Sequence, residues 1–209
     1  MGYLNTDRDH NDVVCKGRGE LFIRGYNISP GYFKAPELSA KAKDKDGFFA
    51  TGDIAIILPN YAVKIVDRKK NFFKLSQGEY VAAEKLEIIY GASPLIAQIF
   101  VHGDSFQSYL VGLIVPEKDY VMKWSKGVET LEGKSFEEIC KSTELREAIQ
   151  DDLARLFKEN ELRGFERIGR FSIDSELWSV ENGLLTPTYK LIRNHLQKHY
   201  SATIKEMYQ

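Results

Sequence analysis

An abrupt change from an apolar segment to a charged cluster divides this chain. Two β-prone runs, residues 54–58 and 61–66, flank the turn residues Pro59 and Asn60, and this pattern predicts a β-hairpin. One aspartate and three cations follow at once at 67–70. Because charged side chains are rarely buried, we place the junction between two domains at this cluster.

Hydrophobic periodicity predicts helices and strands on both sides of the junction. An apolar stripe from Leu145 to Leu156 recurs every three or four residues, and Ser135 with Glu138 has the spacing of a capping box, so both predict one helical region over 136–159. The other predicted elements are strands over 20–24, 97–101, 109–115 and 170–173, a short helix between Pro30 and Asp46, a helix over 82–90, and a C-terminal helix from Ile192 to Ile204. Residues 5–19 are predicted to form an exposed loop. The fold class predicted is α+β.

Composition excludes several classes of protein. With 209 residues, 43% of them hydrophobic, the chain is long enough to bury a substantial core. Its 29 basic and 30 acidic residues give a net charge of −1, so the overall charge does not favour nucleic acid or an anionic membrane as a partner. The longest apolar runs are shorter than the roughly 20 residues of a spanning helix. Cys15 and Cys140 form no disulfide framework, which suits a reducing compartment. We expect a globular, intracellular protein.

Two charged residues near the junction are suited to holding a sugar and a phosphate. Asp53 follows Gly52 on a turn, where a carboxylate can accept hydrogen bonds from two vicinal hydroxyls. Arg68 offers a planar, permanently charged fork for ribose oxygens or a phosphate. Taken singly, each residue is more often an exposed turn aspartate or a solvated strand end.

Other candidate residues depend still more on their context. Lys74 and Lys190 are mobile point charges, and a lone surface lysine is usually just solvated. Gly78, followed by Glu79, marks a segment where the backbone can approach another molecule closely, although an ordinary loop has the same pattern. His195 and His199 share one helix face, but no third ligand accompanies them, so we predict no metal site.

These motifs, in this order, resemble the adenylate-forming superfamily, and within it the eukaryotic-type long-chain fatty acyl-CoA synthetases. The matching stretches are residues 19–25, 31–34, 46–53, 65–81 and 182–190. The run Ser76-Gln77-Gly78-Glu79-Tyr80 is typical of the long-chain branch. One departure is Tyr189, since the superfamily often has glycine before the lysine that aligns with Lys190.

The resemblance implies roles for individual residues. Asp53 would hold the ribose hydroxyls of ATP and acyl-AMP, and Arg68 would contact the same ribose. Lys70 matches the hinge about which the C-terminal domain rotates. Lys190 matches the lysine that reaches the α-phosphate and the fatty carboxylate during adenylation.

The resemblance also implies a second set of residues for thioester formation. After rotation, Lys190 would leave the site, and Lys74, Gly78 and Glu79 would line the channel through which the CoA thiol arrives. The implied domains are 1–66, a β-rich remnant of a large N-terminal domain; 67–70, the hinge; and 71–209, a small mobile C-terminal α+β lid.

The implied substrates and partners are ATP, CoA and a long-chain fatty acid, with Mg²⁺ as the metal. The loop for the ATP phosphates, the Mg²⁺ carboxylate and the fatty-acid tunnel belong to the N-terminal part of such enzymes and are not in these residues. The resemblance therefore implies the C-terminal portion of a fatty-acid CoA ligase, inactive by itself, whose missing partner is the N-terminal domain of the same polypeptide. It is compatible with a cytoplasmic location or with peripheral contact on an organelle membrane.

Two other functions remain open at this point. The chain is alternatively a stand-alone, non-catalytic binding or regulatory module of the same fold, although the retention of Asp53, Arg68 and Lys190 together argues against this. It is otherwise part of an adenylate-forming ligase for a short-chain, aryl or aminoacyl acid, because the acid pocket lies outside these residues.

Overall fold

The chain divides into two compact units, Met1–Phe72 and Phe73–Gln209. The computed structural model describes residues 16–209, and the side chains of Asp67 and Lys70 are not part of that description. Most of the loop predicted over 5–19 therefore lies outside the described residues. Among them, no helix has both the length and the apolar composition needed to span a bilayer.

The first unit is built on a three-stranded antiparallel sheet in the order β1-β2-β3. Its elements are β1 (Gly17–Ile23), α1 (Pro36–Ala42), β2 (Phe49–Ile57) and β3 (Val63–Arg68). The predicted hairpin is confirmed as β2 and β3, which pair antiparallel across a turn in which Leu58 N–H donates to Ala62 C=O at 2.9 Å. β1 begins three residues before the predicted strand.

Many apolar side chains of the first unit remain exposed. Only Ile54, Ala55 and Ile56 of its hydrophobic residues are buried among those described. On β3, Val63 and Ile65 are 55% and 50% exposed, a high fraction for β-branched residues of a strand.

The second unit begins with a two-stranded hairpin and a helix. These elements are β4 (Phe72–Lys74), β5 (Tyr80–Ala82) and α2 (Ala83–Tyr90), and β4 pairs with β5. The helix predicted over 82–90 is confirmed. The segment 76–79 forms the turn between β4 and β5.

A three-stranded sheet lies at the centre of the second unit. Its strands are β6 (Ile96–His102), β7 (Leu110–Pro116) and β8 (Ile168–Ile173), with β7 antiparallel to β6 and parallel to β8. All three were predicted, with bounds one to two residues different. Every residue of β7 is buried, as expected for a continuous apolar run covered on both faces.

The predicted helical region over 136–159 is corrected to two helices, which follow α3 (Lys118–Trp124). They are α4 (Phe136–Cys140) and α5 (Thr143–Glu159). The capping box of Ser135 and Glu138 is confirmed at the start of α4. Ser142 is the reason for the break, because its extended backbone and its side chain, which accepts from Leu145 N–H at 3.2 Å, cap a new helix.

The C-terminal helix is likewise two helices, α6 (Arg193–His199) and α7 (Ser201–Met207). Tyr200 lies at the junction, and its hydroxyl donates to Asp174 Oδ2 at 2.6 Å and accepts from Trp178 Nε1 at 2.8 Å. These two bonds fix the buried ring where the helix is interrupted. Leu196, Tyr200 and Ile204, spaced four residues apart, are all buried.

Helices cover both faces of the β6-β7-β8 sheet. One apolar cluster joins the sheet to α2 and α5 and includes Leu86, Ile114 and Ile149. The other joins the opposite face to α6 and α7 and includes Val111 and Leu196. The second unit is therefore a three-layer α/β/α arrangement, and it completes an α+β fold.

Candidate functional site

Asp53 and Arg68 face each other on neighbouring strands. They are register partners on β2 and β3, and Arg68 Nε lies 3.1 Å from Asp53 Oδ1. The Asp53 side chain is 29% exposed and that of Arg68 is 63% exposed, so the pair is open to solvent on one side. A carboxylate offers roughly four acceptor positions, and this bond to Arg68 uses one of them.

The backbone before Asp53 is held in an unusual conformation. Gly52 has φ +72°, a region that side chains other than glycine rarely adopt. Thr51 Oγ1 accepts from Asp53 N–H at 3.0 Å and donates to Leu21 C=O at 2.9 Å. The carboxylate is thus presented from a β-bulge within β2 that is tied to β1, and not from the turn predicted from the sequence.

The residues after Arg68 lead to the boundary between the two units. Lys69 Nζ pairs with Glu20 Oε2 at 2.7 Å, and residues Lys69–Asn71 form one turn of 3₁₀ helix. The backbone of Lys70 lies in this turn, two residues before the boundary at Phe72. Its role as a hinge stays a prediction.

The β4–β5 hairpin carries Lys74, Gly78 and Glu79 together. Gly78 has φ +94°, and its N–H donates to Leu75 C=O at 2.9 Å to close the turn. The Nζ of Lys74 lies 5.8 Å from the centre of the Tyr80 ring. Lys74 and Glu79 are both exposed.

Two bonds anchor the turn of this hairpin to the rest of the second unit. Ser76 N–H donates to Gln107 C=O at 3.0 Å, and Gln77 Nε2 donates to Ser108 C=O at the same distance. The segment is therefore an ordered turn, and the glycine at 78 is required by its backbone geometry.

Lys190 is exposed on a separate closed turn of the second unit. Thr186 N–H donates to Lys190 C=O at 2.8 Å, and Lys190 N–H donates to Thr186 Oγ1 at 3.1 Å. Leu185 and Leu191 pair across the base of the turn. These bonds use only the backbone of Lys190, so its exposed side chain takes no part in closing the turn.

The departure at Tyr189 has a structural counterpart. Tyr189 has φ +58°, the left-handed conformation that glycine adopts without steric cost. A tyrosine there costs about 1–2 kcal/mol, so the turn keeps a shape for which glycine is suited.

Glu87 and Arg193 form an ion pair that sequence reasoning missed. The carboxylate of Glu87 on α2 contacts the guanidinium of Arg193, the first residue of α6 and three residues after Lys190. Its other oxygen accepts from Val101 N–H at 2.8 Å. Burial raises the pKa of Glu87 to about 7, opposed by the charge of Arg193 and by the Val101 bond. The two residues are 106 positions apart, so no local pattern signals their contact.

The predicted site residues thus lie in three places. Asp53 and Arg68 are together in the first unit; Lys74, Gly78 and Glu79 share one hairpin in the second; Lys190 occupies a turn of its own. Within residues 16–209 no group of three or more histidine, cysteine, aspartate or glutamate side chains is arranged to hold a metal ion.

Comparison with known proteins places these features in a family. No family model matches the chain. It is 44% identical to the long-chain-fatty-acid–CoA ligase 1 of Cavia porcellus over 198 residues, which is 95% of this chain and 28% of that protein. The adenylation domain of a carboxylate reductase from Mycobacterium chelonae superposes with a TM-score of 0.82 at 37% identity, covering 100% of this chain and 29% of that one.

A second solved structure extends this likeness. The A domain of the carboxylic acid reductase from Segniliparus rugosus, in complex with AMP and a co-purified carboxylic acid, gives a TM-score of 0.80 at 35% identity over 99% of this chain and 29% of that one. The chain belongs to the adenylate-forming proteins, in the branch of the long-chain fatty acyl-CoA synthetases. It spans about 28% of the length of the curated relatives it matches. The α+β fold class predicted from the sequence is confirmed.

Proposed function

We propose that this chain is the C-terminal portion of a long-chain fatty-acid CoA ligase. The whole enzyme would join ATP and a fatty acid to acyl-AMP with release of pyrophosphate, and then transfer the acyl group to CoA with release of AMP. The observation that carries the proposal is the division of the predicted residues between two compact units: Asp53 and Arg68 in one, Lys190 in the other.

In the proposed adenylate site, Asp53 accepts hydrogen bonds from the two ribose hydroxyls. Arg68 holds the carboxylate from the neighbouring strand and contacts the same ribose through its guanidinium group. The bond between their side chains, at 3.1 Å, supports a fixed direction of the carboxylate before the nucleotide arrives.

In the adenylation step, the fatty carboxylate oxygen attacks the α-phosphorus of ATP, and pyrophosphate leaves with the bonding electron pair. Two anions must approach each other, and the ammonium of Lys190 placed between them offsets their repulsion and the charge that develops at phosphorus. An exposed lysine at the tip of a closed turn is suited to enter such a site and to leave it.

In the second step, the CoA sulfur attacks the acyl carbonyl carbon, its proton is lost to solvent, and AMP leaves. We propose that rotation about Lys70 exchanges Lys190 for the β4–β5 hairpin, so that Lys74, Gly78 and Glu79 line the thiol channel. A backbone without a Cβ at Gly78 leaves room for a narrow ligand.

Exposed apolar residues of the first unit are a reason to propose that an N-terminal domain packs against it. Several of its large apolar residues, such as Val63 and Ile65, are exposed, and apolar residues exposed together on a surface often mark a contact site for another domain. We propose that this surface packs on the N-terminal domain, which carries the loop for the ATP phosphates, the fatty-acid tunnel and the Mg²⁺ ligands. The described residues offer no set of ligands for Mg²⁺, and no step above depends on one.

The test of this function is acid-dependent exchange of pyrophosphate into ATP by the longer enzyme that contains this chain. Palmitate is expected to support exchange, and acetate, benzoate and amino acids are not. Exchange with one of these other acids alone would reassign the ligase, and no exchange with any acid would favour the non-catalytic module. We expect the 209-residue chain alone to be inactive in the same assay.

Replacing Asp53 with alanine should weaken nucleotide binding in the longer enzyme. The substitution removes the acceptors for the ribose hydroxyls, and we expect the KM for ATP to rise about tenfold or more, because the loss of hydrogen bonds to a charged group costs about 1.5–3 kcal/mol. Steady-state exchange measures this. Asp46→Ala, at an exposed aspartate of the same unit, is the matched control and should leave KM within about twofold. Equal effects of both changes would contradict the assignment.

Replacing Gly78 with valine should slow thioester formation. The residue has φ +94°, so a β-branched side chain strains the turn and also projects from the hairpin. We expect acyl-CoA formation from preformed acyl-AMP to fall at least tenfold, with pyrophosphate exchange nearly unchanged. Gly133→Val imposes the same kind of strain at φ +74°, in a turn after α3. This control variant should leave both steps unchanged. If it lost a similar fraction of its activity, reduced stability would explain the effect of Gly78→Val.

A further inference from the structure

A basic cleft of about 690 Å³ opens at the free edge of the second unit's larger sheet. Among the described strands β8 pairs only with β7, so its other edge faces outward between α5 and α7. The volume lies within the range of sites for small ligands, about 300–1,000 Å³. None of the residues assigned above to the adenylation or thioester step lines it.

Three arginines line this cleft. Arg146 lies on α5, Arg167 immediately precedes β8, and Arg170 lies on β8. Glu206 is the one acidic residue among the lining residues, so the cleft carries two net positive charges in a chain whose total is −1. Such a local excess of cations is an electrostatic site for an anion.

Two of the guanidinium groups are held in place by the protein. Arg146 Nη1 donates to Phe171 C=O at 2.9 Å, with its guanidinium carbon 5.1 Å from the centre of the Phe171 ring, and Arg170 Nη1 donates to Met207 C=O at 3.2 Å. Each of these bonds uses one of the five N–H donors of a guanidinium. Because the side chains are anchored, less conformational entropy is lost when they bind a ligand.

The lining also has an apolar part, formed by Leu153, Ile168, Phe171 and Met207. A ligand that fills the cleft must therefore combine an anionic group with an apolar body. An extended peptide added to the edge of β8 fits less well, because Arg146 already occupies the Phe171 carbonyl that an added strand would need.

We propose that this cleft binds a phosphate-bearing ligand with an apolar body. Guanidinium groups bind phosphate through two parallel N–H···O bonds, and three of them at one cleft suit a group of two negative charges better than a single carboxylate. The phosphate belongs either to a soluble phosphate ester or to the headgroup of a lipid. This cleft is separate from the residues of the proposed ligase reaction, so a test of one proposal does not decide the other.

Calorimetric titration of the 209-residue chain with octyl phosphate, below its micellar concentration, tests the soluble source. Sedimentation with phosphatidylcholine vesicles containing 20% phosphatidic acid tests the lipid source. Saturable binding in either experiment is expected, and the one that binds identifies the source. Octanoate is the matched carboxylate, and we expect it to bind at least fivefold more weakly than octyl phosphate. An absence of saturable binding to both phosphate probes would overturn the proposal.

Variants assign the binding to the cleft. The double variant Arg146→Gln, Arg170→Gln should bind at least tenfold more weakly, whereas Arg155→Gln, on the same helix but outside the cleft, should bind as the parent does. Glu206→Gln keeps all three arginines and removes the opposing carboxylate, so it should bind two- to fivefold more tightly even if the double variant folds poorly. Unchanged affinity in both the double variant and Glu206→Gln would refute the site.

Discussion

Alanine at Lys190 is expected to reduce fatty-acid-dependent pyrophosphate exchange by about 10²-fold or more in the longer enzyme, since one preorganised charge at a transition state contributes this much. Thioester formation from preformed acyl-AMP should stay within about twofold, because the proposed rotation removes Lys190 from the site before that step. The two half-reactions are measured separately, the first with labelled pyrophosphate and the second with synthetic acyl-AMP and CoA.

The turn that carries Lys190 should survive this substitution. Its closing bonds join Thr186 to the backbone N–H and C=O of Lys190, and the side chain takes no part in them. Alanine also adopts the backbone conformation of lysine without cost. A loss of exchange would therefore report the missing ammonium charge and not an altered loop.

Two further variants make the Lys190 test specific. Lys198→Ala removes an exposed lysine of α6, eight positions further along, and should leave both half-reactions unchanged. Lys190→Arg keeps the charge but replaces a compact ammonium with a planar fork, so it should restore only part of the rate. If Lys190→Ala lowered both half-reactions equally, the residue would act in folding or in a step common to both, and the proposed exchange of the two loops would be wrong.

The strands and most helices of this fold could be predicted from sequence because their signals are local. The β2–β3 hairpin follows from two apolar runs around Pro59 and Asn60, and β7 from a continuous apolar run. The two missed helix breaks, at Ser142 and Tyr200, have weaker signals. A serine within a predicted helical region is compatible with either a helix interior or a cap, and the bonds that hold Tyr200 come from the distant residues Asp174 and Trp178.

The candidate site divides in the same way. The sequence identified Asp53 and Arg68 separately, and the hairpin register that pairs them follows from the turn between their strands. The turn at Gly78 could be predicted because glycine adopts a positive φ without steric cost. Sequence motifs did not reveal the Glu87–Arg193 pair, since the two residues meet only when α2 and α6 pack on the same strand, β6.

The second large effect is expected at the Glu87–Arg193 pair, and it should depend on pH. Burial raises the pKa of Glu87 from 4.5 to about 7. Between these values the folded chain binds more protons than the unfolded chain, so the free energy of unfolding should fall as pH rises, by about 3 kcal/mol from this group. Urea denaturation followed by tryptophan fluorescence measures it, because Trp124 and Trp178, the two tryptophans of the chain, both lie in the second unit. Glu87→Gln should abolish this component.

Removing the cation should increase that dependence. In Arg193→Ala the carboxylate of Glu87 loses its partner, and breaking a buried pair typically costs about 3–5 kcal/mol. At pH 8 the carboxylate is ionised in the parent chain, so the loss of its partner should cost most there. At pH 5 it is largely protonated in the folded chain, so the cost should be smaller. Arg155→Ala, at an exposed pair on α5, is the control and should change stability by less than about 1 kcal/mol at either pH.

The pH dependence also distinguishes an ion pair from simple packing. Arg193 lies over the ring of Phe100, with 5.4 Å between the guanidinium carbon and the ring centre, so part of any loss in Arg193→Ala comes from contacts that do not titrate. A cost that is equal at pH 5 and pH 8 would mean that packing alone accounts for it. A cost that grows with pH would mean that the charge of Arg193 stabilises the ionised Glu87. The ion pair would then hold the start of α6, and with it the base of the turn from which Lys190 extends.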